Sequence, residues 1–217
     1  MAESSRGPLS WLMKRLHAPV YARRLAGLER KIVPHLRPGD QVLDVGCGTG
    51  ALGRTILDSR LLPANVDVRG LERVKRGGEA IPVDEYDGRT IPYPDRSFDV
   101  VIVADVLHHE EDPHRLIAEC KRVSRRLLIV KDHKVEGPLA QQRISLLDWA
   151  ANAPYGVPCL YRYNTPGEWA RWKEKHNLRP DAEHPSLKLY PFPYNMVFTP
   201  RLHYMGVFDV HGADQGK

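Results

Sequence analysis

The chain has 217 residues, 42% of them hydrophobic, and its 32 basic and 27 acidic residues give a formal charge of +5. No apolar run approaches the ~20 residues that cross a bilayer. Three scattered cysteines (Cys47, Cys120, Cys159) form no CxxC pair, which argues against a disulfide framework and a cysteine zinc site. Basic residues are spread over several segments and interrupted by acids, as on a solvated face and unlike a nucleic-acid track. The N-terminus has no apolar segment of the secretory kind, so a reduced, cytoplasmic chain is expected.

Residues 9–17 and 20–36 read as two amphipathic helices, with stripes at Leu9, Leu12, Met13 and Leu16 and at Leu25, Leu28, Ile32 and Leu36, separated at Ala18–Pro19. Leucine- and arginine-bearing helices of this kind allow contact with a membrane surface, but a cover over one end of a sheet is the favoured reading. Arg37–Pro38–Gly39–Asp40 then turns into VLDVGCGTG, residues 42–50. Val42, Leu43 and Val45 suit a strand buried on both faces. Gly46, Gly48 and Gly50 permit backbone angles and close approaches that a side chain would block. Helical spacing follows at Ala51, Leu52, Ile56 and Leu57. Strand, glycine turn and helix in that order form the place where a doubly wound sheet holds a nucleotide-like ligand.

Asn65–Glu72 reads as a second strand and Ala80–Val83 as a short third one. Phe98–Val103 is a nearly continuous apolar run, hence a central parallel strand, and Asp112–Pro113 caps a helix with its buried face at Leu116, Ile117, Cys120 and Val123. Leu127–Val130 is the next buried strand. Beyond it lie a helical segment RISLLDWAAN, in which Trp149 is expected in the core, and a loop with Tyr155, Tyr161 and Tyr163. Thr165–Pro166–Gly167–Glu168 opens a helix with a capping box. LKLYPFP and LHYMGVFDV are expected to close the chain as strands. Strand–helix alternation at this spacing predicts an α/β fold with a parallel, doubly wound sheet in a single domain. Its expected parts are a cover (1–37), a ligand-binding core (38–133), an insert (134–164) and a closing helix and strands (165–210).

Taken together these motifs resemble the class I S-adenosylmethionine-dependent methyltransferases, in particular the branch that acts on small molecules and lipids. VLDVGCGTG is similar to the glycine-rich first motif, YDGRTIPYPDRSFDVV to the adenine-side motif, and ADVLHHEEDP to the motif after the fourth strand. The resemblance implies a seven-stranded, mostly parallel sheet and S-adenosyl-L-methionine as cofactor. On it, Asp44, Gly46, Cys47, Gly48 and Gly50, with Ala104 and Asp105, belong to the cofactor site. Glu72 is the ribose-binding acid and Asp87–Gly88 the adenine-side turn, with Asp84 as the alternative to Asp87. Glu72 lies 28 positions after Asp44, more than the ~20 usual in such a unit, and Asp67 at 23 positions is the alternative.

Ligands of open α/β sheets sit beyond the carboxyl ends of the strands, where the turns after FDVVIV and LLIV bring imidazoles and carboxylates together. If the acceptor is a hydroxyl, its proton must go to a base, and His108 oriented by Asp132 is the candidate, with His109 and His133 behind it. A metal on His108, His109, Asp132 and His133 is weighed and not favoured, because no pair has the i, i+4 spacing of a helical metal motif. The 134–164 insert is expected to fold over the site as a lid, with Tyr155, Tyr161 and Tyr163 against a small-molecule or lipid-like acceptor. The rival functions are RNA modification, for which no base-holding motif is seen, and a non-catalytic cofactor-binding partner subunit. The acceptor atom and the oligomeric state are left open.

Overall fold

The computed structural model describes residues 8–152 and 159–210, with the side chains of 8–18 and 151 outside the description. Seven strands form one sheet in the order β3-β2-β1-β4-β5-β7-β6. They are β1 (Gln41–Val45), β2 (Asp67–Glu72), β3 (Val83–Glu85), β4 (Phe98–Ala104), β5 (Ser124–His133), β6 (Arg179–His184) and β7 (His203–Asp209). The first five pair in parallel, and β7 pairs antiparallel with both β5 and β6. Strand order reverses between β1 and β4, and this switch point opens the crevice in which such sheets take a ligand.

The apolar runs are continuous because both faces of the sheet are covered. Side chains alternate along a strand, so Val42, Val100, Ile102 and Ile129 pack on one face with Leu28 and Ile56, from α1 (Pro8–Ile32) and α2 (Ala51–Leu57). Leu43, Val101, Val103 and Leu128 pack on the other with Ile117, from α3 (Pro113–Val123), and Trp169, from α5 (Pro166–Lys175).

Four expectations are corrected. The two N-terminal helices are one: α1 runs through Pro19, which is exposed, so the missing N–H opens the helix only toward water. It stops at Ile32, because Pro34 begins a tight turn and Leu36 is already extended. The third strand begins at Val83 and not at Ala80, since Pro82 has no N–H and offers Gly70 only its carbonyl. LKLYPFP is not a strand. Pro191 and Pro193 cannot donate to a ladder, while Leu187, Leu189 and Tyr190 are buried against the α1 side of the sheet. The closing edge strand is β6, which tolerates Pro180 beside an irregularity in its pairing with β7. Trp149, on α4 (Ala140–Asn152), is 52% exposed and not in the core.

Candidate functional site

β1 delivers the glycine turn to the switch point. Gly46, Gly48 and Gly50 all have positive φ (70°, 59° and 73°). A side chain at Gly46 would collide with Val106 and one at Gly50 with Ile81, so these two are fixed by packing. Gly48 is different: a Cβ there would meet nothing nearer than the Arg76 guanidinium at 4.0 Å, and the space above it is open. The turn borders a cavity of about 270 Å³ lined by Asp44, Cys47, Thr49, Ala104, Asp105 and others from distant parts of the chain. α1 contributes Tyr21, Arg24, Leu25 and Leu28, and α4 contributes Leu147, Asp148 and Asn152.

Asp44 is 2% exposed, and its Oδ2 has no hydrogen-bond partner among the described residues. Burial, reinforced by Glu72, pushes its carboxyl up to about 7. Glu72 ends β2 at the same edge and accepts a hydrogen bond from the Gly48 N–H at 3.3 Å. Asp67, the alternative ribose acid, begins β2 beside Gln41, at the opposite end of the sheet. Asp87 and Gly88 do not line the cavity. Asp87 is exposed and its Oδ1 accepts from the N–H groups of Arg89 and Thr90. Gly88 is buried against the Arg73 side chain, whose guanidinium pairs with Glu110 at 2.6 Å. Asp84 is taken by Arg69 and the Tyr93 hydroxyl.

The far end of the cavity is a buried ionic cluster. β5 is longer than its apolar run suggests, so Lys131, Asp132 and His133 are strand residues and not a following turn. Lys131 and His133 both reach Asp105, which also pairs with Arg24 of α1. Burial opposes ionisation of Asp105, but Lys131 and Arg24 together hold its carboxyl well below the usual range. Asp132 instead meets His108, with Oδ1 2.5 Å from Nδ1. Burial would lower His108, yet the charge and hydrogen bond of Asp132, with Asp148 beyond, raise it to about 10. Asp132 and Asp148 thus favour the protonated form of the expected base. His133 goes the other way, down to about 3, because burial outweighs Asp105.

Sequence reasoning missed two members of this cluster. Arg24 carries no local motif, and Asp148 lies 40 positions after His108 on a helix that is expected from the sequence but not assigned to the site. Asp148 is 2% exposed; it accepts from Tyr163 Oη at 2.7 Å and stands 3.5 and 3.4 Å from Nε2 of His108 and His109. Tyr163 thus joins the site through Asp148. Tyr161 is 43% exposed, and Tyr155 lies outside the described residues.

A seven-stranded sheet with this order and a glycine turn at its switch point is the fold of the class I S-adenosylmethionine-dependent methyltransferases, and the glycine turn lies within a segment that matches a methyltransferase family. Residues 43–127 match the family described as a methyltransferase domain. The chain is 31% identical over 146 residues to the ubiquinone/menaquinone biosynthesis C-methyltransferase UbiE of Bordetella avium, covering 59% of this chain and 57% of that protein. It is 37% identical over 111 residues to the 27-O-demethylrifamycin SV methyltransferase of Amycolatopsis mediterranei, covering 47% of this chain and 39% of the other. It thus spans between about two-fifths and three-fifths of these relatives' lengths. A SAM-dependent methyltransferase from Aquifex aeolicus has the same fold, with a TM-score of 0.58, 17% identity and coverage of 91% of this chain and 96% of that one. No helix among the described residues is long and apolar enough to cross a membrane.

Proposed function

We propose that this chain transfers a methyl group from S-adenosylmethionine to a small-molecule acceptor. The observation that carries the reading is the unpartnered, buried Asp44 carboxylate oxygen beside the open face of Gly48, in a cavity that ends at the histidine cluster. The residues fit the cofactor. Asp44 suits its cationic groups, Glu72 suits the ribose hydroxyls, and Arg24 and Arg76 suit its carboxylate. Asp87 is the proposed reader of the adenine amino group, with Gly88 beside it, and engaging an adenine there requires the Arg73 side chain to move. The bound cofactor supplies an electrophilic methyl on a sulfonium.

His108, His109, His133, Asp148 and Tyr163 form the proposed acceptor end. Asp132 fixes the orientation of His108 through Nδ1 and leaves Nε2 facing the proposed acceptor end. α4 and the loop after it, with Tyr155 and Tyr161, act as the lid that excludes water. The names of the two curated relatives, both methyltransferases of small molecules, support the acceptor class. The test is calorimetry with S-adenosylmethionine and S-adenosylhomocysteine on the wild type and Gly48→Val, followed by an acceptor screen with phenols and quinols. Gly48→Val places a side chain at φ 59° in the open space, so cofactor affinity should fall at least 10-fold. Equal affinity for both proteins overturns the assignment.

A further inference from the structure

His108 and His109 follow β4 on one tight turn, Leu107–His109, with ring centroids 4.1 Å apart. Asp148 arrives from α4, and its Oδ1 stands 3.5 Å from His108 Nε2 and 3.4 Å from His109 Nε2. One donor atom from each of the three lies within 4.8 Å of the other two. Such separations are long for good hydrogen bonds, whose N···O distances cluster near 2.9–3.0 Å. They are the right length for a shared cation: bonds of ~2.0–2.1 Å at tetrahedral angles set donor atoms roughly 3.3 Å apart.

The surroundings are those of metal ligands held in place. Asp132 Oδ1 engages His108 Nδ1 at 2.5 Å and also accepts from the His133 N–H at 2.6 Å, so the ring cannot turn and Nε2 faces Asp148. A carboxylate on the far nitrogen of a ligating histidine is the usual supporting contact at metal sites. Tyr163 Oη ties down Asp148 Oδ2 at 2.7 Å and leaves Oδ1 turned to the imidazoles. The Asn152 amide nitrogen donates to Asp148 Oδ1 at 2.7 Å and to the Asp148 carbonyl at 3.0 Å and stands 3.4 Å from His109 Nε2, so a bound ion would displace this amide from Oδ1. The donor set weighed from the sequence, His108, His109, Asp132 and His133, does not include Asp148, which lies on a helix 40 positions after His108.

We propose that His108 Nε2, His109 Nε2 and Asp148 Oδ1 bind one divalent transition-metal ion of the zinc type, with a fourth position open to the acceptor. Two imidazoles and a carboxylate suit such ions better than magnesium or calcium, which prefer oxygen donors. The role of the ion rests on the methyl-transfer reading. An acceptor hydroxyl bound at the fourth position would release its proton to solvent and present an oxygen anion in the cavity that Asp44 and the glycine turn border. Ion binding itself does not depend on that reading.

The full chain, stripped with a chelator, is titrated with Zn²⁺ by calorimetry and with Co²⁺ by visible absorption, without cofactor or acceptor. The expected result is one equivalent of tight binding and the intense bands of four-coordinate cobalt. His109→Gln, at a half-buried position, and Asp148→Asn should each weaken Zn²⁺ binding by more than the ~10–100-fold typical of losing a supporting residue. Asp132→Asn should fall within that smaller range. Circular dichroism confirms that each variant is folded, and the wild-type cobalt spectrum decides the matter should a variant fail to fold. Absent cobalt bands, or Zn²⁺ affinity equal in wild type and folded His109→Gln, overturns the proposal. Affinity for S-adenosylhomocysteine, measured with and without Zn²⁺, tells failure of the metal site from failure of the methyl-transfer reading.

Discussion

Asp105 holds two cations at once, and at a single residue this is the largest electrostatic commitment of the site. Lys131 is 1% exposed, whereas the Arg24 side chain is 15% exposed, so Lys131 is the cation with no water to replace the carboxylate. Removing one partner of a buried ionic group leaves the other charge uncompensated, at a cost of about 3–5 kcal/mol. Asp105→Asn should show that loss in urea unfolding, whereas Lys131→Met, which leaves Asp105 paired with Arg24, should lose distinctly less. Asp44 carries the second prediction at this scale. Burial and Glu72 raise its carboxyl to about 7, above the ordinary 3.8, so between those values the folded protein holds a proton that the unfolded chain lacks. This contribution is fully present below pH ~4 and is lost as pH rises through about 7. A cationic ligand beside Asp44 favours the ionised form. Binding S-adenosylmethionine at pH 6, well below the titration of its α-amino group at ~8, should therefore release close to one proton. Calorimetry in two buffers of different ionisation enthalpy reads that release, and Asp44→Asn should abolish it.

Among the elements, α5 is set by its first turn. Thr165 Oγ1 accepts from the Glu168 N–H at 3.3 Å, Glu168 accepts from the Thr165 N–H at 2.7 Å, and Pro166 begins the helix without an N–H to satisfy. The helix then lays Trp169 on Tyr204 of β7, with centroids 4.6 Å apart, and its indole N–H reaches the His133 carbonyl at 3.3 Å. Thr165→Ala removes one half of the cap and should cost ~1 kcal/mol, a fall in Tm of about 2–4 °C. Thr165→Ser should restore most of it in the same thermal scan. This helix was legible because its signals lie within four consecutive residues. The glycine turn was legible for the same reason, and so was the meeting of His108 with Asp132, since both stand at the ends of recognisable apolar strands. β6 was not: RPDAEH is a polar edge strand whose structure is supplied by its partner β7. Asp148 was hidden likewise, because its surroundings are set by packing across 40 positions of sequence.

For the whole molecule, the strand order joins parts of the chain that are far apart. β1 and β4 meet at the switch point, β5 brings His133 to its carboxyl end, and α1 and α4 close over the opening. α1 is tied there by apolar burial of Leu25, Leu28 and Ile32 and by the Arg24–Asp105 pair, so cover and cavity share residues. Any ligand that binds only the folded form stabilises it by mass action, about 2.7 kcal/mol at one hundred times its Kd. That stabilisation is not expected to be uniform. The segments that contact the ligand from separate elements must open together for it to leave, whereas β6 lies three strands from the switch point at the far edge. With saturating S-adenosylhomocysteine, amide hydrogen exchange should slow together in residues 20–30 of α1 and in 46–52 of the glycine turn and α2, with little change in β6. Protection confined to 46–52 would mean that α1 covers the cavity without sensing its occupant. Cofactor capture would then be a property of the sheet edge and its glycine turn alone.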